Sequence, residues 1–259
     1  MPYVNGVYYK DTGKGRPMIF LSGLGGNHKN METHAAYYRK KGYRTILIDF
    51  PVMGKSKKNA LFSRALVRAV RNVVLKLGVS DIVLYAYSLG TSVALGYAKK
   101  YRGVSKMVLI GPGMAGTPLV RKQFFKILIT YMKTSFPRIS YTGLQYFRVK
   151  TFSSKNTPQQ WIEDKVKETF KTPLWHVVWL LFLAKGCYYD VTGLGVPTIL
   201  IGAETDHMNP KEEVLRIHKQ LANSRTVFLK DCDHFLFYEK KDEILKRASA
   251  FLNQQERRS

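Results

Sequence analysis

The stretch LYAYSLGTS, Leu84 to Ser92, joins an apolar, strand-like run to a helix-like segment, and a serine stands at the junction. Small residues flank this serine, since Ala86 lies two positions before Ser88 and Gly90 lies two positions after it. A tight turn from strand to helix needs small residues at both positions, because the backbone is strained at its centre. Ser88 is therefore either an exposed nucleophile or a polar residue that closes a strand.

Short apolar runs alternate with segments of helical periodicity on both sides of this stretch, after an Asn5-Gly6 hairpin signal. Near-continuous apolar runs are typical of parallel strands that are buried on both faces. Strands in alternation with helices predict an α/β fold with a doubly wound, mostly parallel sheet. The predicted strands are 18–23, 45–50, 81–88, 106–111, 197–203 and 225–231, and the predicted helices are about 30–41, 60–77, 90–101, 210–222 and 239–253.

One segment breaks the alternation, because residues 115–190 are far longer than one crossover helix requires. The segment is rich in aromatic residues and lysines, and its periodicity predicts three or four helices. We therefore expect a core made of residues 1–114 and 191–259, with 115–190 as a helical insert over one edge of the sheet.

The chain is strongly basic, with 42 Lys and Arg against 18 Asp and Glu and a net charge of +24. The excess is +15 in residues 1–114, +8 in 115–190 and +1 in 191–259. Such a field attracts anions, and an anionic membrane surface is a hypothesis drawn from charge alone. A solvated basic surface is the simpler explanation. Nucleic acid is disfavoured as a partner, because no nucleic-acid-binding module is recognisable.

Cysteine content and hydropathy bound the class of protein. Cys187 and Cys232 are too few for a disulfide framework or a metal site, and we expect free thiols. The first residues contain no apolar signal-peptide core. The longest apolar run, Trp175 to Ala184, is shorter than the ~20 residues that cross a bilayer. We expect a soluble, cytoplasmic protein.

A hydroxyl, a carboxylate and an imidazole each follow a predicted strand, as Ser88, Asp206 and His234. In doubly wound sheets, ligands bind outside the carboxyl ends of the strands. These three side chains are therefore expected at one edge of the fold.

The motifs around these residues resemble those of the α/β-hydrolase superfamily. AYSLG resembles its G-x-S-x-G nucleophile elbow, with Ala86 in place of the first glycine. IGAETDHMNP resembles its acid loop, DCDHFLFYE resembles its histidine loop, and the order Ser, acid, His is the same. The resemblance implies that Ser88 is the nucleophile, His234 the general base and Asp206 the residue that orients it. It also implies that 115–190 is a cap.

The resemblance extends to the oxyanion hole, since LSGLGGN is similar to the family's His-Gly-x-x-G turn with Ser22 in place of the histidine. It implies the backbone N–H groups of Leu24 and Leu89 as the oxyanion donors. Other residues beside the motifs are expected to line a substrate pocket of apolar character. They are Gly23, Met114, Met208 and Phe235.

Rival residues exist for two of the roles. Glu204 and Asp233 are alternative acids, although a residue adjacent to His234 cannot easily reach its Nδ1 atom. His207 is an alternative base. A dinucleotide-binding reading of GLGG fails, because His28 stands where the third glycine of G-x-G-x-x-G belongs. DFPVMGKS, residues 49–56, is interpreted as a structural loop.

The sequence therefore predicts a serine hydrolase that cleaves small-molecule carboxylic esters with an apolar acyl chain, without a metal or an organic cofactor. The same triad could serve a thioesterase, a lactonase, a C–C bond hydrolase or an acyltransferase. A hypothesis from another class is a non-catalytic basic binding protein on a hydrolase scaffold, for anionic membrane or nucleic acid. The sequence predicts no oligomeric state.

Overall fold

The computed structural model describes residues 2–57, 62–114, 116–120, 122, 159–160, 163 and 186–254. These residues form an eight-stranded sheet that is covered by helices on both faces. The strands are β1 Tyr3–Val4, β2 Val7–Thr12, β3 Pro17–Leu21, β4 Arg44–Ile48, β5 Ile82–Tyr87, β6 Val104–Ile110, β7 Thr198–Ala203 and β8 Ser224–Leu229. The helices with defined bounds are α1 His28–Lys40, α2 Arg64–Leu77, α3 Leu89–Lys100, α4 Lys211–Gln220, α5 Leu236–Glu239 and α6 Lys241–Leu252.

The strand order is β1-β2-β4-β3-β5-β6-β7-β8, which confirms the predicted doubly wound, mostly parallel sheet. The pairs from β4 to β8 are parallel, whereas β2 pairs antiparallel with both β1 and β4. The predicted hairpin joins β1 to β2. Asn5 and Gly6 have φ angles of 47° and 76°, the left-handed values of a type I′ turn.

All six predicted main strands are present, and their bounds differ from the prediction by at most two residues. The helix predicted at about 239–253 is present as α6, and the short helix α5, which Lys240 separates from it, is not predicted. Four residues of α5 are too few to show a helical period in the sequence. Helix α2 begins at Arg64, and the predicted start at residues 60–61 lies outside the described residues.

The central strand β5 sends alternate side chains to the two layers of the core. Ile82, Leu84 and Ala86 pack in the layer that includes α2, α3 and α4. Val83, Tyr85 and Tyr87 pack on the opposite face, in the layer that includes α1 and α6. This period of two fixes the rotation of β5 and therefore the direction in which Ser88 leaves its end.

The predicted cap, 115–190, lies mostly outside the described residues, and it stays a prediction. Its described end, residues 186–190, packs against the core. The Tyr189 ring covers Gly96 of α3 so closely that a Cβ atom on this glycine would lie 2.5 Å from the ring. Cys187 and Cys232 are free, as predicted, and both are buried.

The loop after β4 is organised by a buried carboxylate. Asp49 accepts hydrogen bonds from the backbone N–H groups of His28 (2.6 Å) and Lys55 (2.8 Å), and its Oδ2 atom lies 2.9 Å from His28 Nδ1. A Cβ atom on Gly54 would lie 2.2 Å from the same carboxylate, so only glycine fits there. The contacts agree with the structural role predicted for residues 49–56.

His34, on α1, is a neutral histidine that is buried against Phe237 of α5. His34 is 2% exposed, with Nε2 3.1 Å from the carbonyl oxygen of Phe237 and Nδ1 2.8 Å from the Tyr85 hydroxyl. Only an N–H can pair with a carbonyl, so Nε2 carries the proton and Nδ1 accepts from Tyr85. Burial lowers the pKa of His34 to about 4.

Acidification is expected to lower the free energy of unfolding, because His34 is protonated less readily in the folded chain than in the unfolded one. An unfolded histidine takes up a proton near pH 6.5, while the folded one does so near pH 4, so protons favour the unfolded chain between these values. The contribution of His34 to the free energy of unfolding is complete above pH 6.5 and is about 2 kcal/mol smaller at pH 4.5. Urea denaturation of wild type and His34→Gln at pH 7 and pH 4.5 measures it. Equal pH dependence in both proteins would contradict the assignment.

Candidate active site

Ser88 occupies the tight turn between β5 and α3. Its φ and ψ angles are 51° and −119°, a left-handed conformation that non-glycine residues rarely adopt. Such strain costs of order 1–3 kcal/mol and persists only where the surroundings impose it. The Ser88 N–H donates to the carbonyl oxygen of Ile110 at 2.9 Å, and the Ser88 carbonyl accepts from Thr91 N–H at 2.8 Å. The backbone is thus held on both sides of the strained residue.

Close packing explains the small residues around this turn. A Cβ atom on Gly90 would lie 2.3 Å from the Leu21 carbonyl oxygen, so α3 begins in direct contact with the end of β3. A Cβ atom on Gly23 would lie 3.2 Å from the Ser88 Cβ atom. The segment after β3 therefore runs directly beside the serine, as the predicted oxyanion turn requires.

The structure brings Ser88, His234 and Asp206 together in one chain of hydrogen bonds. The distance from Ser88 Oγ to His234 Nε2 is 2.9 Å. His234 Nδ1 lies 3.0 Å from Asp206 Oδ2 and 3.2 Å from Oδ1. Asp206 and His234 are both buried, and Ser88 is partly exposed. This arrangement can transfer a proton from the hydroxyl to the imidazole while the carboxylate stabilises the resulting cation.

The acid loop is fixed by groups that the sequence analysis did not identify. Asp206 Oδ1 accepts from the backbone N–H groups of Met208 (2.8 Å) and Asn209 (2.7 Å). The buried Asn209 amide donates to the Gly111 carbonyl at 2.8 Å, which ties the loop to the end of β6. Gly113 has to be glycine, because a Cβ atom there would lie 2.4 Å from the Asn209 side chain.

The rival residues Asp233 and His207 contact each other and do not take the places of Asp206 and His234. Asp233 Oδ1 accepts from the backbone N–H groups of His234 (2.6 Å) and His207 (3.0 Å), and its Oδ2 atom contacts the His207 ring. Burial raises the pKa of Asp233, while the hydrogen bonds from His207 act in the opposite direction. This carboxylate joins the acid loop to the histidine loop. Glu204 is exposed.

Tyr87 supports the histidine loop through both its hydroxyl and its ring. Its hydroxyl donates to the His234 carbonyl oxygen at 2.9 Å, and its ring stacks on Phe237 with 4.8 Å between centroids. Tyr87 precedes the serine, so a single strand positions Ser88 and supports His234. In the sequence, the bulk of a tyrosine within AYSLG is the available signal of this role.

The predicted oxyanion donors, the N–H groups of Leu24 and Leu89, belong to the two segments that meet beside the serine. Leu89 is the first residue of α3, where an N–H has no partner within its helix, and Leu24 lies in a turn closed by a 3.0 Å bond from Gly26 N–H to the Gly23 carbonyl. Neither N–H donates to another group in the described part of the chain. Both are thus available as donors to a bound oxyanion.

The predicted pocket residues differ in exposure. Gly23 and Met114 are buried, and the Met114 N–H donates to Glu213 Oε1 at 3.0 Å. Met208 and Phe235 are half-buried, and the Phe235 ring centroid lies 6.3 Å from that of His234. These apolar groups adjoin Asp206 and His234, and their contact with a substrate stays a prediction.

Other groups in the described residues are less suited than the serine to nucleophilic or metal chemistry. Burial raises the pKa of Cys232 and of Cys187 to about 12, so both are thiols near neutral pH and poor nucleophiles. Within the described ranges, no group of three or more His, Cys, Asp and Glu side chains is arranged to hold a metal ion. None of the helices in the described part of the chain combines the length and apolar character that a membrane span needs.

The chain belongs to the alpha/beta hydrolase fold family, whose sequence profile matches residues 16–241. It is 24% identical over 259 residues to the AB hydrolase superfamily protein YisY of Bacillus subtilis (strain 168), covering 95% of each chain. It is 25% identical to a 2-hydroxy-6-oxo-6-phenylhexa-2,4-dienoate hydrolase of Comamonas testosteroni, covering 96% of this chain and 91% of the relative.

Solved structures share the fold at lower identity. An esterase from Exiguobacterium antarcticum superposes with a TM-score of 0.77 at 20% identity, covering 96% of each chain. A bromoperoxidase from Bacillus anthracis gives 0.82 at 17% identity, covering 96% of this chain and 95% of the other. These likenesses establish the architecture, and family membership supports hydrolytic activity.

Gly90→Ala is expected to destabilise the protein by several kcal/mol and to abolish serine reactivity. The added methyl group would lie 2.3 Å from the Leu21 carbonyl oxygen, so β3 and α3 would have to separate. The matched control is Gly195→Ala, where an added Cβ atom meets nothing within 4 Å. Thermal denaturation compares the two variants, and equal stability would contradict the packing argument.

Asp233→Ala is expected to lower the free energy of unfolding by about 2–4 kcal/mol, because two backbone N–H groups lose their acceptor. His207→Ala removes only the exposed ring contact, and a change below about 1 kcal/mol is expected. Urea denaturation measures both variants. A larger loss in His207→Ala would show that the ring, not the backbone, holds the two loops together.

Proposed function

We propose that this protein is a serine hydrolase that cleaves carboxylic esters through an acyl-enzyme on Ser88. The observation that carries the proposal is the chain of contacts from Ser88 Oγ to His234 Nε2 at 2.9 Å and from His234 Nδ1 to Asp206 Oδ2 at 3.0 Å. A hydroxyl is a weak nucleophile without such a base. Membership of a hydrolase family supports the proposal.

Each residue has a separate role in the proposed reaction. His234 Nε2 accepts the Ser88 proton as Oγ attacks the ester carbonyl, and Asp206 stabilises the imidazolium through the Nδ1–H. The N–H groups of Leu24 and Leu89 bind the oxyanion of the tetrahedral intermediate. When the intermediate collapses, the C–O bond breaks and His234 gives its proton to the leaving alcohol.

The second half of the reaction regenerates the serine. His234 takes a proton from water as the water oxygen attacks the acyl carbon, and a second oxyanion forms in the same place. Its collapse breaks the bond to Ser88 Oγ, which recovers the proton from His234, and a carboxylic acid leaves. Proton transfer and backbone hydrogen bonds suffice for every step, so the proposed reaction needs no metal or organic cofactor.

The proposed substrate is a small ester with an apolar acyl chain. Leu24, Met208 and Phe235 are half-buried beside the serine turn, the acid loop and the histidine loop, respectively. Apolar side chains with a few convergent polar groups are typical of small-molecule sites. Residues 115–190 are proposed to form the cap over this edge and to complete the pocket.

A second candidate is hydrolysis of a C–C bond next to a carbonyl group. It is favoured by the relative from Comamonas testosteroni, which is similar over 96% of this chain. Assays with p-nitrophenyl esters of increasing acyl length, alongside 2-hydroxy-6-oxo-6-phenylhexa-2,4-dienoate, separate the two reactions. A higher kcat/KM for the dienoate than for every ester would favour C–C hydrolysis.

A fluorophosphonate probe tests the activated serine directly. Intact-mass spectrometry is expected to show one adduct on wild type and on Ser92→Ala, and none on Ser88→Ala. Ser92 is a matched control, because it lies one helical turn away and its hydroxyl donates to Gly113 instead of a base. No adduct on folded wild type would contradict the hydrolase proposal and favour a non-catalytic binding protein.

A further inference from the structure

A row of cations runs along the solvent side of α2. Arg64 and Arg68 are exposed, Arg71 is half-buried, and Lys76 is exposed at the end of the helix. Spacings of three and four residues place Arg64, Arg68 and Arg71 on one stripe of a helix. Leu66, Val70 and Val73 of the same helix are buried in the core, so the stripe faces outward.

The end of α3 extends this row. Helix α3 packs against α2, and Lys100 and Arg102 are exposed at its end and just after it. The Tyr101 ring joins the two segments, with the Arg71 guanidinium 4.9 Å and Lys100 Nζ 5.6 Å from its centroid. We call this surface the α2 basic face. It consists of Arg64, Arg68, Arg71, Lys76, Lys100 and Arg102.

The cations of the α2 basic face have no carboxylate partner among the residues that the structure describes. None of its six cations forms a salt bridge with a residue that the structure describes. Asp81 is the single acidic residue between positions 50 and 162, against 19 Lys and Arg, and its carboxylate pairs with Arg16. Asp190 lies beside Lys99, which is outside the face. The described residues therefore leave the positive charge of the face unpaired.

Two large apolar side chains lie among these cations. Phe62 is 56% exposed just before α2, and Leu75 is 60% exposed near its end. The helical rise separates Arg64 from Leu75 by about 16 Å, so the apolar groups lie near the two ends of the cationic row. Cations flanked by exposed apolar groups are typical of surfaces that bind the headgroup region of a membrane.

We propose that the α2 basic face docks on an anionic lipid surface. Lipid phosphates would neutralise the six cations, while Phe62 and Leu75 would enter the boundary between headgroups and acyl chains. Phosphates of nucleic acid would satisfy the cations equally, but an aliphatic side chain such as Leu75 has no function in contacts to a phosphate backbone. The apolar groups therefore favour lipid.

The face reaches the edge of the sheet that carries Ser88. Helix α2 follows β4, and α3 follows β5, so the first turns of both helices lie at the carboxyl ends of parallel strands. Ser63 Oγ also donates to the Gly186 carbonyl at 2.8 Å, beside the end of the predicted cap. Docking through α2 would place the candidate site close to a lipid surface.

Co-sedimentation with lipid vesicles tests the proposal. The probes are vesicles of phosphatidylcholine alone and vesicles of phosphatidylcholine with phosphatidylglycerol. The face variant is Arg68→Glu, Lys76→Glu, Lys100→Glu, and all three side chains are exposed. The control variant is Lys29→Glu, Lys230→Glu, Lys246→Glu, which makes the same charge change at exposed positions outside the face. Circular dichroism verifies that both variants fold.

Wild type is expected to bind only the vesicles that contain phosphatidylglycerol. The loss should be roughly fivefold for each lipid-facing cation, so the face variant should lose at least tenfold more affinity than the control. Phe62→Ser with Leu75→Ser should lose the binding that survives at high salt, because screening leaves the apolar contribution. Hydrolysis of a water-soluble ester should be unchanged in all three variants, which separates this proposal from the proposed function.

Three results would overturn the proposal. Equal losses in the face and control variants would mean that binding follows net charge alone. Equal binding to neutral and anionic vesicles would exclude recognition of lipid charge. Tighter binding to single- or double-stranded DNA than to anionic vesicles at the same salt concentration would assign the face to nucleic acid.

Discussion

The contact between the start of α3 and the end of β3 is the constraint on which the candidate site depends. Gly90 allows the helix backbone to meet the Leu21 carbonyl without a side chain between them. Because the helix starts so close to the strand, the turn at Ser88 is tight. Ser88 therefore adopts the strained φ of 51° and projects from the edge of the sheet. The same contact places the Gly23 turn beside the serine. The proposed nucleophile and one proposed oxyanion donor thus depend on a single packing requirement.

The base and its partner are held by a different kind of interaction. Asp206 and His234 lie on loops after β7 and β8, and neither loop has regular structure to fix it. Buried polar groups do this instead: Asn209 ties the acid loop to β6, Tyr87 ties the histidine loop to β5, and Asp233 joins the two loops. Because buried polar groups are costly when unpaired, each of these bonds favours one loop geometry over alternatives.

The sequence predicts periodic elements such as strands well, and it predicts poorly the residues that act through a single contact. Apolar runs such as Ile82–Tyr87 are periodic and long enough to identify strands, and the strand ends then locate Ser88, Asp206 and His234 at one edge. Asn209, Gly113 and Tyr87 act through single contacts to residues distant in the chain, with no period to reveal them. The sequence presents Asp233 only as a rival acid, because its bonds to two backbone N–H groups depend on loop geometry. Helix α5 is likewise not predicted, because its four residues are too few to show a helical period.

The excess of positive charge requires its own physical account, because like charges destabilise a compact chain. Many basic residues lie at positions that stabilise a cation without a carboxylate partner. Lys40, Lys76, Lys99 and Lys100 occupy last turns of helices, where the carbonyl ends of the helix dipole favour cations. Lys41, Lys55, Lys57, Arg64 and Arg71 lie over aromatic rings. Dipoles and rings stabilise these cations without neutralising them, so the fold tolerates its charge and leaves the field of the protein available to an anionic partner.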